Sequence, residues 1–279
     1  MKILITGGTG SIGSKVIKEL KKKHIIFSTF RQNNRPDNHE IKWIKFQNLR
    51  KKKFEVDIII NCIVTHENSK KNKLIDYINS NIKSMDDITN YSKKNKIKLI
   101  VNLSTISVYK KNAKTINEDC EIDNSNFLSL TKSLGELILK NSNLNYINLR
   151  LPSVIDFNGN NYNWINRCYN NLKFNKKVDL KNPNNKINEI IDIEEILNFI
   201  EYILDKKLYK FKETINFVPK DKIEIRKIVD MMRNNLKSKS RIKYFKTNDK
   251  EKYYSSKKII NLFNYKVTNI DKIILRNLR

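Results

Sequence analysis

Eight residues near the start of the chain carry the clearest chemistry, Thr6-Gly7-Gly8-Thr9-Gly10-Ser11-Ile12-Gly13. They follow an apolar run, Lys2–Thr6, and open a helical pattern at Ser11. Glycines at positions 7, 10 and 13 fit a turn that holds a diphosphate. The first permits a sharp strand-to-helix reversal, the second lets the anion approach the backbone, and the third lets helix and sheet pack closely. The free N–H groups opening the helix at Ser11, Ile12 and Gly13 would face that anion, aided by the helix dipole. A second position bears on which dinucleotide is held. At the end of the next strand, a carboxylate suits the ribose 2′-hydroxyl of NAD, and an arginine suits the 2′-phosphate of NADP. Here the strand ends Ser28-Thr29-Phe30-Arg31, with Arg35 close behind and no acid before Asp37. The residue types favour NADP, with NAD as the alternative.

Several other chemistries are excluded by type and spacing. Cys62, Cys120 and Cys168 lie far apart without a CxxC pair, which excludes a disulfide scaffold or a cysteine-rich zinc site and suits a reducing cytoplasm. His24, His39 and His66 share no metal-binding spacing, so no metal is expected. Asn158–Asn163 is low in complexity and reads as loop; Trp164 and Phe174 are spaced as packing residues on a helix face.

A glycine turn of this kind needs a doubly wound α/β sheet around it, and the first half of the chain alternates accordingly. Strands are expected at Lys2–Thr6, His24–Phe30, Ile41–Phe46, Val56–Ile63, Ile97–Leu103 and Asn145–Leu149. Helices are expected over Ser11–Lys23, Lys70–Lys94 and Phe127–Asn141. Six parallel strands with helical crossovers make a Rossmann-like sheet with a ligand crevice at the strands' C-terminal ends. Beyond Pro152 the pattern loosens, with a helix near Trp164–Leu172, a strand at Ile187–Ile191, a helix at Glu194–Lys206, a strand at Thr214–Val218 and a helix from Glu224 to Leu236. The expected division is a dinucleotide-binding domain over 1–157 and a small C-terminal α/β substrate lobe over 158–279, with about 187–218 returning to the first sheet.

The 279 residues include 56 Lys+Arg against 29 Asp+Glu, a net charge of +27. A polyanionic partner would account for such an excess. The surplus is mostly lysine, however, spread along the whole length among asparagine and isoleucine, as solvated faces are. With no arginine-rich arm, zinc-finger pattern or RNP-type aromatic motif, no specific nucleic-acid partner is expected. No run approaches the roughly 18 apolar residues of a membrane span, and the N-terminus lacks the apolar region and cleavage site of a signal peptide.

Taken together, these residues resemble the extended short-chain dehydrogenase/reductase family, in particular its sugar-nucleotide epimerase, dehydratase and reductase branch. Thr6–Gly13 matches the family's TGGTGxIG turn. Asn48-Leu49 stands where the family has Asp-Leu against the adenine, and Cys62-Ile63-Val64 where small residues line the cofactor. Asn81-Ile82-Lys83-Ser84 resembles the family's Asn-Val-x-Gly helix. Ser104-Thr105-Ile106-Ser107-Val108-Tyr109 resembles the Ser-Ser-x-x-Val-Tyr strand end, and Arg150-Leu151-Pro152-Ser153-Val154-Ile155 the Arg-x-x-x-Val-Tyr segment. Asn188–Ile196 is similar to Arg-Asp-Phe-Val-x-Val-x-Asp-Val.

The resemblance implies proton chemistry by a Ser/Thr, a Tyr and a Lys. Thr105 takes the Ser/Thr place and Lys132 the lysine place, with Glu136 four residues on supporting it. The tyrosine place is Leu128, and the neighbouring Phe127 has no hydroxyl. Leucine neither gives nor takes a proton, so Tyr109, Lys132 itself or a bound water would have to replace the phenol, or the protein binds without turnover. The 4,6-dehydratase reaction is disfavoured because Ile106-Ser107 follow the threonine where that type has Asp-Glu. The implied activity is an NAD(P)-dependent epimerase or ketoreductase acting on a nucleotide-activated sugar. The alternative is a non-catalytic NADP-binding regulator or scaffold. The implied partner is the sugar nucleotide, with Arg167 and Arg226 as candidates for its diphosphate; a homodimer is compatible with this reading.

Overall fold

The computed structural model describes residues 1–31, 36, 39–51, 54–65, 72–110, 112–123, 125–157, 163–249 and 251–278. Arg35, Asp37, His66 and most of the low-complexity stretch, residues 158–162, lie outside them. The chain divides into two compact units. One comprises Met1–Lys110, Glu121–Arg150 and Leu197–Ile215; the other comprises Lys111–Cys120, Leu151–Ile196 and Asn216–Arg279.

The first unit is built on a seven-stranded sheet. Its strands are β1 (Lys2–Thr6), β2 (Ile25–Phe30), β3 (Lys42–Lys45), β4 (Ile58–Asn61), β5 (Leu99–Thr105), β6 (Tyr146–Leu151) and β7 (Lys212–Asn216), in the spatial order β7-β6-β5-β4-β1-β2-β3. β1 pairs in parallel with β2 and β4, β2 with β3, and β4 with β5. Ile3, Leu4 and Ile5 of β1 and Ile58, Ile59 and Ile60 of β4 are all buried. Such unbroken apolar runs belong to strands covered on both faces. The architecture is the Rossmann-like doubly wound α/β sheet read from the sequence.

Helix α1 (Ser11–Leu20) buries Gly13, Val16, Ile17 and Leu20, a helical spacing that lays one stripe against the sheet. The expected long helix from Lys70 to Lys94 is interrupted. It forms as α2 (Leu74–Tyr77), a π-helical stretch over Ile78–Lys83 and α3 (Ser84–Asn95). Helix α4 (Phe127–Lys140) starts where the Asn126 side chain accepts from Ser129 N–H at 2.8 Å. The π stretch brings the Asn81 carbonyl so close to α4 that a Cβ on Gly135 would lie 2.7 Å from it. Only glycine admits that approach, and hydrophobic periodicity alone could not reveal it.

A line of polar side chains crosses this apolar sheet. Thr6 Oγ1 donates to Asn61 Oδ1 (2.7 Å), Asn61 Nδ2 to Asn102 Oδ1 (2.9 Å), Asn102 Nδ2 to Asn148 Oδ1 (2.8 Å) and Asn148 Nδ2 to Thr214 Oγ1 (3.0 Å). The ladder thus joins β1, β4, β5, β6 and β7, and its three asparagines are buried. Replacing Asn102 by leucine orphans the Asn61 amide and the Asn148 carbonyl at once. At about 1–3 kcal/mol for each buried unpaired group, the expected loss is about 2–6 kcal/mol in urea unfolding. A loss below about 1 kcal/mol would show that the ladder contributes little.

The second unit has its own core, in which Ile155, Phe157, Leu172, Leu180, Ile228, Met232, Ile270 and Ile274 pack. The helices Trp164–Lys173, Ile225–Asn235 and Ile270–Asn277 surround it, with a parallel ribbon of Val178–Lys181 and Ile242–Phe245. Trp164 packs against this core, whereas Phe174 is 63% exposed. The helix ends one residue before it, leaving the ring among the Lys173 and Lys176 ammonium groups rather than on the packed face. The strand expected at Ile187–Ile191 is two short strands, Lys186–Ile187 and Ile190–Asp192. Between them the buried Asn188 donates to Pro219 O and Tyr254 O and accepts from Tyr254 N–H, bonds that compete with a continuous ladder.

Candidate active site

The glycine turn meets the demands placed on it. Gly7 has φ +76°, a left-handed conformation that other residues rarely adopt. Its N–H donates to Thr29 Oγ1 at 3.2 Å, and its carbonyl accepts from Gly10 N–H at 3.0 Å. A Cβ on Gly13 would fall 2.3 Å from Gly7 O, so the third glycine is what lets α1 sit on the turn. Gly8, which the three-glycine spacing did not single out, is equally constrained. Its Cβ would lie 1.9 Å from Ser28 Oγ, which is itself fixed by donation to Ile5 O.

Gly10 differs. A Cβ there would meet Gly7 O at 3.2 Å and, among the described residues, nothing else within 4 Å. This open space adjoins the N-terminus of α1, which has no side-chain cap and no acid in its first turn. The first intrahelical bond is from Ser14 N–H to Gly10 O, leaving the N–H groups of Ser11, Ile12 and Gly13 for an anion. The donor set and the cradle fit a diphosphate.

The remaining cofactor candidates are placed unevenly. Arg31 is exposed immediately after β2. Asn48 is exposed, but Leu49 is fully buried among Leu4, Ile44 and Ile59, so it offers a ligand no surface. Its side chain was needed by the core, a demand that a two-residue match does not show. Cys62, Ile63 and Val64 leave the end of β4, and burial pushes the Cys62 thiol up to about 12, keeping it protonated. Asn81 donates to Thr131 Oγ1 at 2.9 Å, and its buried Oδ1 has no partner among the described residues.

Thr105 ends β5, half-buried, its hydroxyl accepting from Ser107 N–H at 3.1 Å. On α4, Leu128, Lys132, Gly135 and Leu139 recur on the buried face. Leu128 therefore precedes Lys132 by about one turn, as the numbering requires, while Phe127 is exposed and meets the Tyr77 ring at 6.0 Å. Lys132 Nζ donates to Ile63 O at 3.1 Å and Leu103 O at 3.0 Å, carbonyls just after β4 and within β5. Burial lowers its pKa to about 8, against the opposing influence of Glu136 and Cys62.

Glu136 does not bond Lys132. It is gripped by Arg150, whose Nε lies 3.1 and 3.2 Å from the two carboxylate oxygens and whose Nη2 lies 2.6 Å from Oε2, and it accepts from Ser104 Oγ. Burial works against the Arg150 charge, but the hydrogen bonds and charge of Glu136 hold its pKa above the usual value. The guanidinium also stacks 4.6 Å from the Tyr109 ring centroid. Tyr109 is fully buried against that guanidinium. The family motif flagged Arg150 only as the start of a segment; its place beside Glu136 depends on a strand-to-helix contact invisible in spacing. Among the described residues, no three His, Cys, Asp or Glu side chains are grouped to hold a metal.

The sheet, with the glycine turn after its first strand, defines a Rossmann-like α/β protein. The model of the NAD dependent epimerase/dehydratase family matches residues 3–216, and the chain belongs to that family. Similar solved structures include UDP-glucuronic acid 4-epimerase from Bacillus cereus in complex with NAD, at 19% identity and a TM-score of 0.83, covering 98% of this chain and 94% of that one. UDP-N-acetylglucosamine 4-epimerase from Bacillus cereus matches at 20% identity and 0.79, covering 100% and 98%. The Bordetella bronchiseptica enzyme WbmG in complex with NAD and UDP matches at 17% and 0.83, covering 99% and 93%. At these identities the likeness is one of fold. No curated protein matches the sequence significantly. No helix among the described residues is long and apolar enough to cross a membrane.

Proposed function

We propose that the protein is an NAD(P)-dependent epimerase of a nucleotide-activated sugar. The observation carrying this reading is the uncapped α1 terminus beside the open face of Gly10, within a chain of this family. Gly7, Gly10, Ser11, Ile12 and Gly13 hold the diphosphate, and Asn48, Cys62, Ile63, Val64 and Asn81 adjoin the rest of the cofactor. The bound nicotinamide supplies the acceptor and donor of hydride. Thr105 holds the reacting sugar oxygen, and Lys132 contributes a buried amine near it. Three unpaired cysteines support a reducing, cytoplasmic setting.

Incubation with either nicotinamide cofactor and UDP-glucose, UDP-glucuronic acid or UDP-N-acetylglucosamine tests this. Chromatography should reveal the C4 epimer of one of them. Tight cofactor binding with no interconversion would favour a cofactor-binding regulator, the reading that Leu128 supports because it removes the phenol.

The cofactor preference rests on Arg31. NADPH is expected to bind more tightly than NADH, and Arg31→Asp to erase or reverse that order, since a charge-assisted phosphate contact becomes a repulsion. Equal dissociation constants in the unaltered protein, by calorimetry, would contradict the assignment.

A further inference from the structure

Thr105 ends β5, and the chain then turns through Ile106–Val108 to Tyr109. That stretch is tied at both ends to a single buried ion pair. At its start, Ser104 Oγ donates to Glu136 Oε1 of α4. At its end, the Tyr109 ring centroid lies 4.6 Å from the Arg150 guanidinium of β6. Arg150 and Glu136 close the circuit, with Nε at 3.1 and 3.2 Å from the two carboxylate oxygens and Nη2 at 2.6 Å from Oε2. Ser104, Tyr109, Glu136 and Arg150 are all buried.

The same helix holds the stretch at two more points. Ser129 Oγ donates to Ser107 O, and Lys132 Nζ donates to Leu103 O. Positions 129, 132 and 136 recur at helical spacing, so one face of α4 grips Leu103, Ser104 and Ser107. Thr105 stands inside that grip, half-buried, its oxygen accepting from Ser107 N–H at 3.1 Å. A hydroxyl that accepts one bond still carries a hydrogen to donate, and the frame around it decides where that hydrogen can reach.

Resting on the epimerase reading above, we propose that the Glu136–Arg150 pair is a positioning device: it closes residues 104–109 into a loop and thereby fixes the Thr105 hydroxyl on the reacting sugar oxygen. Glu136, Arg150 and Ser104 act only through Thr105. A planar guanidinium forked onto a carboxylate has little freedom to slide, which suits that task. The demand is steep, because a reacting group misplaced by about 1 Å can lose about 100-fold in rate.

A double-mutant cycle on the full chain tests this, pairing Ser104→Ala, which cuts one tie, with Thr105→Val, which removes the hydroxyl. Hydride transfer to the bound cofactor in a single turnover is the readout, so slow variants stay measurable. Ser104→Ala should slow that step by about fivefold or more, while affinities for cofactor and sugar nucleotide stay within about twofold. In the Thr105→Val background the same change should cost less than about twofold, because the group it positions is gone. A serine that served stability alone would give losses that multiply across the two sites. Multiplying losses, or a loss under about fivefold from Ser104→Ala alone, overturn the inference while the epimerase reading stands. If Ser104→Ala does not fold, Ser104→Cys, which keeps the size with a weaker donor, takes its place with the same pattern expected. A parent that binds cofactor yet turns over no sugar nucleotide overturns the epimerase reading and this role together.

Discussion

Replacing Gly10 by valine will weaken cofactor binding at least 100-fold while moving the thermal midpoint by no more than a few degrees. The backbone at Gly10 is extended, with φ −80° and ψ 168°, which any residue can adopt, so no strain attends the change. The new Cβ meets Gly7 O at 3.2 Å, a contact that a few tenths of an ångström relieve. The rest of the side chain then fills the space where the α1 N–H groups would receive a diphosphate. Gly13→Ala is the contrasting variant. Its Cβ would come within 2.3 Å of Gly7 O, a backbone atom that cannot swing aside, so the loss should appear in stability first. Calorimetry with NADH and NADPH, beside thermal unfolding, separates the two. Normal binding by Gly10→Val would mean that the turn only shapes the backbone.

Arg150→Met is expected to cost about 3–5 kcal/mol, the usual penalty for stripping one partner from a buried ion pair. The side chains of Arg150 and Glu136 are 8% and 7% exposed, so water cannot replace the lost bonds. At roughly 2–4 °C per kcal/mol for a chain of this size, the midpoint should drop by about 10 °C. Arg150→Met/Glu136→Leu should recover much of that, because no uncompensated carboxylate remains. The single variant should also alter the pH dependence. In the folded protein burial lowers Lys132 to about 8 from an ordinary 10.5. Between those values the unfolded chain binds a proton that the folded one does not, so stability rises as pH climbs through that window. In Arg150→Met the freed Glu136 charge acts on Lys132 unopposed and raises its folded pKa, shrinking that rise. Unfolding curves from pH 7 to 10.5 that keep the full slope in the variant would show that Arg150 does not set the field at the amine.

Much of the first unit was legible because its information is local. Glycine spacing, continuous apolar strands and a helical stripe at Val16, Ile17 and Leu20 can each be recognised within a dozen residues. The features that escaped depend on what lies opposite. Gly8 is required by Ser28, twenty positions away, and Leu49 by a core drawn from β1, β3 and β4. The π stretch is legible only beside Gly135 of α4. The spacing of Lys132 and Glu136 marked the lysine's place but not the glutamate's partner, which is Arg150 of β6.

The asparagine ladder bears on how such a sequence can change over time. Each amide in it is acceptor to one neighbour and donor to the next, so a mutation at any of the three asparagines strands two others. Removing adjacent rungs together strands fewer groups than the separate losses combined, so such changes are strongly non-additive. A lineage carrying this ladder can drift freely on its lysine-rich surface. Across the sheet it is confined to stepping over several positions at once, so polarity there is inherited as a block.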